Sequence, residues 1–364
     1  MARHRHITRP ALLPLSLLYG IAVQIRNLLF DLKILKSTGF KISVISVGNI
    51  TVGGTGKTPH VEYLIQLLKD DFRIAVLSRG YRRKTRDFVM ASRKSKVADI
   101  GDEPRQLKLK FPNIPIAVET NRVRGVMTLM ERISRLDLVI LDDAFQHRYI
   151  LPGFSILLVD YNRPVFEDIL LPAGNLRESW QNAKRADIII VTKCPDHLSL
   201  PERLDFITRM RLSDTQEVFF TGFTYGKPVP VFPGKHGRQE PVSYKSLKKS
   251  KTGIMLVTGI ANPAPLRQFL EQNLRVDDEL IFDDHHEYDQ KDIRYMQSRF
   301  QTMERADKCI LVTEKDAVRL QELEIPDKRF RKSFYYIPVE VKFLAKGQKP
   351  FIKRIFKYMK KSGS

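Results

Sequence analysis

The stretch "SVISVGNITVGGTGKTP", Ser43 to Pro59, limits the fold more than any other. An alternating apolar run stops at a glycine-rich segment, and a helical pattern begins directly after it, so the layout is strand, loop, helix. Glycines there let backbone N–H groups close on phosphate oxygens, and the helix start adds the positive end of its dipole. Lys57 is placed to reach the β- and γ-phosphates of a nucleotide, and the Thr58 hydroxyl to ligate Mg²⁺. Pro59 falls in the first helical turn, where its missing N–H has no intrahelical partner anyway. The loop consists of Thr51, Val52, Gly53, Gly54, Thr55, Gly56, Lys57 and Thr58, and it departs from G-x-x-x-x-G-K-[ST] at its first position, where Thr51 replaces glycine. A glycine-rich turn without ligand is the competing reading. Strand, loop, Lys-Thr pair and helix together favour a bound nucleotide.

The rest of the chain agrees with such a core. Short Val/Ile/Leu runs alternate with helical patterns, at residues 43–47, 73–77, 114–118, 138–141, 156–159, 188–191, 253–257 and 309–312. Continuous apolar runs between helices imply parallel strands buried on both faces. The predicted class is α/β, doubly wound. The glycine- and proline-rich segment "FFTGFTYGKPVPVFPGKHGRQEPVSY" suggests a boundary, and "TGIMLVTGIANPAPLRQFL" opens a fresh strand–turn–helix unit after it. The expected division is an amphipathic segment at 1–36, a nucleotide-binding core at 37–221 and a smaller α/β domain at 222–330. A returning strand and basic tail at 331–364 complete it, with "FYYIPVEVKFL" coming back to the hinge or the first domain.

Charge is the loud compositional feature, with 62 Lys and Arg against 41 Asp and Glu, a net +21. Nucleic acid, an anionic membrane surface or a polyanionic substrate would each suit it. No aromatic–glycine RNA motif occurs, which argues against nucleic acid. Cys194 and Cys309 stand far apart without metal-type spacing, so a disulfide framework is excluded and a reducing compartment fits.

Both ends carry amphipathic sequence. Behind Arg3, Arg5 and Arg9, an apolar run from Ala11 to Val23 turns amphipathic, with Leu18, Ile21, Ile25, Leu28 and Leu32 at helical spacing. Gln24, Arg26 and Asn27 come early for a helix that needs about 20 apolar residues to span. A secretory signal is the competing view, but the helical pattern continues well past the apolar run without an obvious small-residue cleavage site. A core helix and an in-plane membrane helix remain as alternatives. After Glu340 no acidic residue occurs, and lysines interleave with Phe343, Phe351, Ile352, Ile355, Phe356 and Met359. That pattern predicts contact with anionic lipid headgroups.

Several polar clusters are candidates for chemistry. In "DLVILDDAFQHR", Asp142 and Asp143 end an apolar strand, placed to hold Mg²⁺ near a phosphate loop, although such a pair is also a common solvated turn. His147 lies a few residues on and could face the same cleft. Asp102 and Glu103 precede a helix, which Asp102 could simply cap. "FDDHHEYD" gathers Asp283, Asp284, His285, His286 and Glu287. Adjacent histidines project in different directions and no H-E-x-x-H spacing occurs, so a base or positioning histidine fits better than a metal site. Arg122 and Arg124 in "NRVRG" are natural phosphate partners. Asn175, Arg177 and Glu178 in "LPAGNLRE" are available to a sugar or phosphate, and a plain solvated surface is the alternative for both stretches.

Taken together, "SVGNITVGGTGKTP", "SRGYRRK", "GDEP", "NRVRG", "LDDAFQHR", "LPAGNLRE", "VTGIANP", "DHHEY" and "VTEKDAVRL", in this order, resemble the tetraacyldisaccharide 4′-kinase family, the lipid A 4′-kinases of Gram-negative bacteria. The resemblance runs from about residue 46 to residue 320. It implies a P-loop core, a smaller C-terminal domain on a two-stranded hinge and an N-terminal membrane helix at the cytoplasmic face of the inner membrane. It implies transfer of the ATP γ-phosphate, with Mg²⁺, to the 4′-hydroxyl of a tetraacylated glucosamine disaccharide 1-phosphate, giving lipid IV-A. By this resemblance Thr51 to Thr58 are the ATP loop with Lys57 catalytic. Thr58, Asp142 and Asp143 hold the metal, and Asp102 with His285 forms the catalytic dyad. Glu103, Arg122, His147, Asn175, Arg177 and Glu178 would face substrate. Ala144 stands where many members carry glycine. A membrane-associated ATPase switch is the main rival, although such a loop normally has lysine where this chain has Val52. A nucleic-acid-dependent NTPase is the other. "VTKCPD" loosely resembles a base-recognition loop, with its aspartate displaced by Pro195.

Overall fold

The structure is a computed structural model and describes residues 9–232 and 240–362. Arg3 and Arg5 lie outside the described residues, as does part of the expected boundary segment, residues 233–239. Two sheets organise the chain. The larger has nine strands in the order β14-β8-β7-β6-β1-β5-β2-β4-β3. Its members are β1 (Ser43–Asn49), β2 (Ile74–Ser78), β3 (Val89–Met90), β4 (Ile116–Val118), β5 (Leu138–Asp142), β6 (Phe154–Asp160), β7 (Ile188–Thr192), β8 (Glu217–Tyr225) and β14 (Val339–Phe343). The smaller has β9 (Val229–Pro230), β10 (Gly253–Thr258), β11 (Val276–Ile281), β12 (Lys308–Thr313) and β13 (Phe334–Ile337), in the order β11-β10-β12-β13-β9.

Every residue of β1, β2, β5, β6 and β7 is buried, as continuous apolar runs between helices require. On one face Ile45, Val47, Ile140, Ile156 and Ile190 meet Val61, Leu64, Ile65 and Leu68 of the helix Lys57–Leu68. Val139 and Leu141 point the other way, against Val126 and Leu129. β1 pairs in parallel with both β5 and β6, so their loops gather at the carboxyl edge of the sheet. In open α/β sheets that edge is where ligands sit.

The chain crosses between the sheets twice. β8 leaves the large sheet toward β9, and β13 passes through Pro338 into β14, which pairs antiparallel with β8 from Val339↔Tyr225 to Phe343↔Thr221. The boundary expected at residue 222 therefore falls inside β8. Lys110 adds an ionic tie between the two sheets' helices. Its ammonium lies 2.6 Å from Glu62 and 3.0 Å from Glu314.

The two amphipathic ends resolve in opposite ways. The C-terminal helix Gln348–Ser362 lays Phe351, Ile355 and Met359 into the core beneath the large sheet, with Phe343 and Phe356 packed beside them. The expected lipid contact through these residues is thus wrong, because their apolar face is already covered by protein. The N-terminal helix Leu13–Asp31 does the reverse. Leu17 and Leu18 are 66% and 64% exposed, and Ile21, Ile25, Leu28 and Leu32 are exposed as well, whereas Ser16, Asn27 and Phe30 are buried. A core helix would bury the leucines, so that alternative fails. Its polar face does the docking. The Ala173 N–H donates to Ser16 Oγ at 2.8 Å, Tyr19 OH donates to the Arg177 carbonyl at 2.7 Å, and Arg148 donates to the Asn27 carbonyl at 2.8 Å.

Candidate phosphotransfer site

The loop after β1 is a cradle braced on three sides. Gly53 and Gly56 adopt φ of 92° and 85°, which side-chain-bearing residues rarely tolerate. Thr51 forms an antiparallel bridge to Leu176, and the Val52 N–H donates to the Asn175 carbonyl at 2.8 Å. The loop therefore begins as a short two-stranded ribbon with "LPAGNLRE", which explains why no glycine is needed at position 51. On the far side Lys193 donates to the Gly54 carbonyl and pairs with Asp160 at 2.7 Å. Arg163 donates to the Val52 carbonyl at 3.4 Å. Asp196 of "VTKCPD" pairs instead with Lys342 on β14, at 2.8 Å.

Lys57 opens the helix after the loop, its ammonium 3.4 Å from Asn49 Oδ1 and 3.7 Å from Asp143 Oδ1. Asp142 is 1% exposed at the end of β5, and Ser78 Oγ donates to its Oδ2 at 3.1 Å. Burial, then Glu103 and Asp143, push the Asp142 carboxyl up to about 7. Burial acts upward on Asp143 too, but Lys57 and Arg177 outweigh it and hold that carboxyl below its ordinary value. Asp142 Oδ1 is buried with no hydrogen-bond partner in the protein. A buried carboxylate oxygen left unpaired is costly, and a divalent cation is the group that would relieve it. Among the described residues no cluster of three or more His, Cys, Asp or Glu could enclose a metal by itself. That suits Mg²⁺, which takes one or two protein carboxylates and completes its shell with phosphate oxygens and water. Asp142, with its unpartnered oxygen, and the neighbouring Asp143 fit that requirement.

A second cluster joins residues from both sheets. Asp102 and Glu103 start the helix Asp102–Lys110, and His285 follows β11 in the second sheet with φ 62°. His285 Nδ1 lies 3.0 Å from Asp102 Oδ2, while Lys315 Nζ lies 3.4 Å from His285 Nε2 and 3.2 Å from Glu103 Oε1. A carboxylate only accepts and an ammonium only donates, so these two neighbours favour the tautomer with the proton on Nδ1 and the lone pair on Nε2, while the donor-only Arg319 guanidinium, 3.2 Å from Nδ1, acts the other way. Arg319 also donates to Asp102 Oδ2 and pairs with Asp316 at 3.2 Å. Burial works to raise the Asp102 carboxyl, but His285, Lys315 and Arg319 together hold it far below the usual carboxylate range. Asp102 is the first helical residue rather than the cap, and its Oδ1 accepts the Glu103 N–H at 3.1 Å. Its Oδ2 faces the second sheet's cations and imidazole. His286 faces elsewhere, bonded to Asp292 at 2.8 Å and stacked on Phe282.

The remaining candidates divide. Arg122 is buried, donates to the Glu119 carbonyl at 2.9 Å and leaves its Nε unpartnered; burial lowers it to about 10. Arg124 turns away to Glu119 at 2.6 Å. His147 keeps a buried, unpartnered Nε2, and burial with nearby Arg122, Arg26 and Arg79 pushes it down to about 4, so it is neutral near pH 7. Arg177 reaches Asp143 at 3.2 Å. Asn175 Nδ2 is held by Asp168 at 3.2 Å. Glu178 is the clearest departure from the substrate-facing expectation. It is buried, with Arg185 at 2.6 Å, Gln146 at 3.0 Å and Asn27 of the N-terminal helix at 3.4 Å, so its carboxylate ties that helix to the loop.

A sequence model of the tetraacyldisaccharide-1-P 4′-kinase family matches residues 8–359. The chain belongs to this family. It is 45% identical to a tetraacyldisaccharide 4′-kinase of Parabacteroides distasonis over 350 residues, which cover 96% of this chain and 94% of the relative. It is 46% identical to one of Phocaeicola vulgatus, covering 96% and 95%. Among solved structures, LpxK from Aquifex aeolicus, an "apo" form in complex with ATP, has a TM-score of 0.74 at 27% identity. The match covers 96% of this chain and 99% of that one.

Lys315, Arg319 and the bracing pair Lys193–Asp160 were not singled out from the sequence. One signal was available, since "VTEKDAVRL" places charged residues directly after an apolar strand, where the carboxyl edge of a sheet meets its ligands.

Proposed function

We propose that this chain is the kinase that moves the γ-phosphate of ATP to the 4′-hydroxyl of a tetraacylated glucosamine disaccharide 1-phosphate, forming lipid IV-A. The observation that carries this reading is an Asp–His pair drawn from different sheets, in a chain that also holds a phosphate cradle after β1. Thr51 to Thr58 hold the phosphates, and Lys57 meets the charge that spreads over the transferring group. Mg²⁺, when bound at Asp142, Asp143 and Thr58, neutralises charge on the β- and γ-phosphates. A sugar hydroxyl is a poor nucleophile at neutral pH, so His285 Nε2 takes its proton while Asp102 holds the ring and stabilises the imidazolium. The hydroxyl oxygen then bonds to the γ-phosphorus as the bond to the β,γ-bridging oxygen breaks, and ADP leaves with that electron pair. Because His285 rides on the smaller sheet, bending at β8 and β14 is the motion that brings base and phosphate together. Arg122 and His147 line the acceptor side of the cleft. ATP turnover should therefore rise steeply when detergent-dispersed acceptor lipid is added. Equal turnover with and without lipid would support an ATPase switch instead.

The acceptor is a lipid, and the exposed leucine face of the N-terminal helix is suited to reach it at the cytoplasmic face of the inner membrane. Fully burying a leucine contributes about 1.5–3 kcal/mol. The triple variant Leu17→Glu, Leu18→Glu, Ile25→Glu should therefore shift the protein from membrane to soluble fractions by about 10²-fold or more. Its thermal midpoint should hold, because these side chains are exposed in the fold. Unchanged membrane partition of this variant would refute the anchoring role.

A further inference from the structure

Lys315 occupies an odd position. It sits in the first turn of the helix Glu314–Leu320, where a cation is disfavoured by the helix dipole, so helix stability does not explain it. Its ammonium is drawn across from the second sheet to the first. Glu103 Oε1 lies at 3.2 Å, Asp102 Oδ2 at 3.7 Å and His285 Nε2 at 3.4 Å. The nitrogen lone pair that would accept the sugar proton thus faces this cation directly. The ammonium is therefore shared between the proton acceptor and the carboxylates of Asp102 and Glu103.

We infer that Lys315 is a catalytic residue, the cation that the smaller domain delivers to the transferring γ-phosphoryl group; this rests on the kinase reading above. Glu103 holds the ammonium by one of its three N–H groups. The arriving hydroxyl displaces it from His285 Nε2, and a free N–H then donates to an equatorial phosphoryl oxygen. Proton transfer to Nε2 and charge development on phosphorus occur side by side, and Lys315 acts on the second. A P-loop lysine from one domain and Lys315 from the other would clamp the phosphoryl group only when the domains close.

The test is steady-state kinetics of Lys315→Met and Lys315→Arg, with lipid phosphorylation by the unaltered protein as the reference. The methionine variant should lose about 10²-fold in kcat, with KM for ATP and for lipid within about threefold. The arginine variant, which keeps the charge, should recover about tenfold of that loss. A simple interdomain pin would raise KM or lower the thermal midpoint and leave kcat alone, and that result would overturn the assignment. Should the methionine variant fail to bind ATP, Lys315→Gln replaces it under the same criteria. If the unaltered protein makes no phosphorylated lipid, the kinase reading itself has failed. If it does and the Lys315 variants match its kcat, only this inference has.

Discussion

Lys57→Ala should lower turnover by about 10²-fold or more while leaving the protein folded. The lysine stands at the join of loop and helix, 3.4 Å from Asn49 Oδ1 and 3.7 Å from Asp143 Oδ1. Its ammonium has two tasks. It meets the negative charge that spreads over the phosphoryl oxygens, and it offsets the charge of the metal carboxylates. Among the described residues, Arg163 and Lys193 also touch the loop, but through the Val52 and Gly54 carbonyls, so they hold backbone and cannot replace Lys57 at the phosphate. Steady-state rates with saturating lipid and ATP check this. A folded alanine variant within a few-fold of normal turnover would sink the phosphate-cradle reading.

The second large effect concerns Asp102 and His285. Their 3.0 Å contact links different sheets, so neither residue can do its part without the other. Asp102→Asn keeps the shape of the side chain and is preferable to alanine, because deletion would strand Arg319 beside an empty site. Asp102→Asn and His285→Gln should each lower kcat by about 10²–10⁴-fold with modest changes in KM. The double variant should be little worse than either single one, because the two act as a unit. His286→Ala should be much milder, as its imidazole serves Asp292 and Phe282 within the smaller domain. Losses that multiply in the double variant, or a His286 effect exceeding that of His285, would defeat the pairing.

What could be read from the sequence follows the strength of local signals. β1, β5, β6 and β7 announce themselves because burial on both faces demands uninterrupted apolar residues. β11 does not, since "VDDELI" lies at a sheet edge, is mostly not buried and tolerates carboxylates. β3 and β9 have two residues each, too few for any periodicity. The two terminal helices teach a sharper lesson. Ile21 and Ile25 at one end and Phe351 and Ile355 at the other have the same helical spacing, yet the first pair is exposed and the second is core. An apolar stripe states that something oily must cover it. Whether protein or lipid does so depends on where the helix docks, and for the N-terminal helix Ser16, Tyr19 and Asn27 decide that. Lys315 and Arg319 stay hidden for a related reason. Charged residues on a short helix look solvated until the second sheet is set against Asp102.

The central claim is that this cleft phosphorylates a lipid sugar. Its most direct test is to incubate the full-length protein with γ-labelled ATP, Mg²⁺ and detergent-dispersed tetraacyldisaccharide 1-phosphate, then separate the lipids and locate the label. One new, more acidic lipid carrying the label at the 4′ position is expected, reduced by about 10²-fold or more when Lys57→Ala is used. Label released only as inorganic phosphate, with the lipid unchanged, would contradict it.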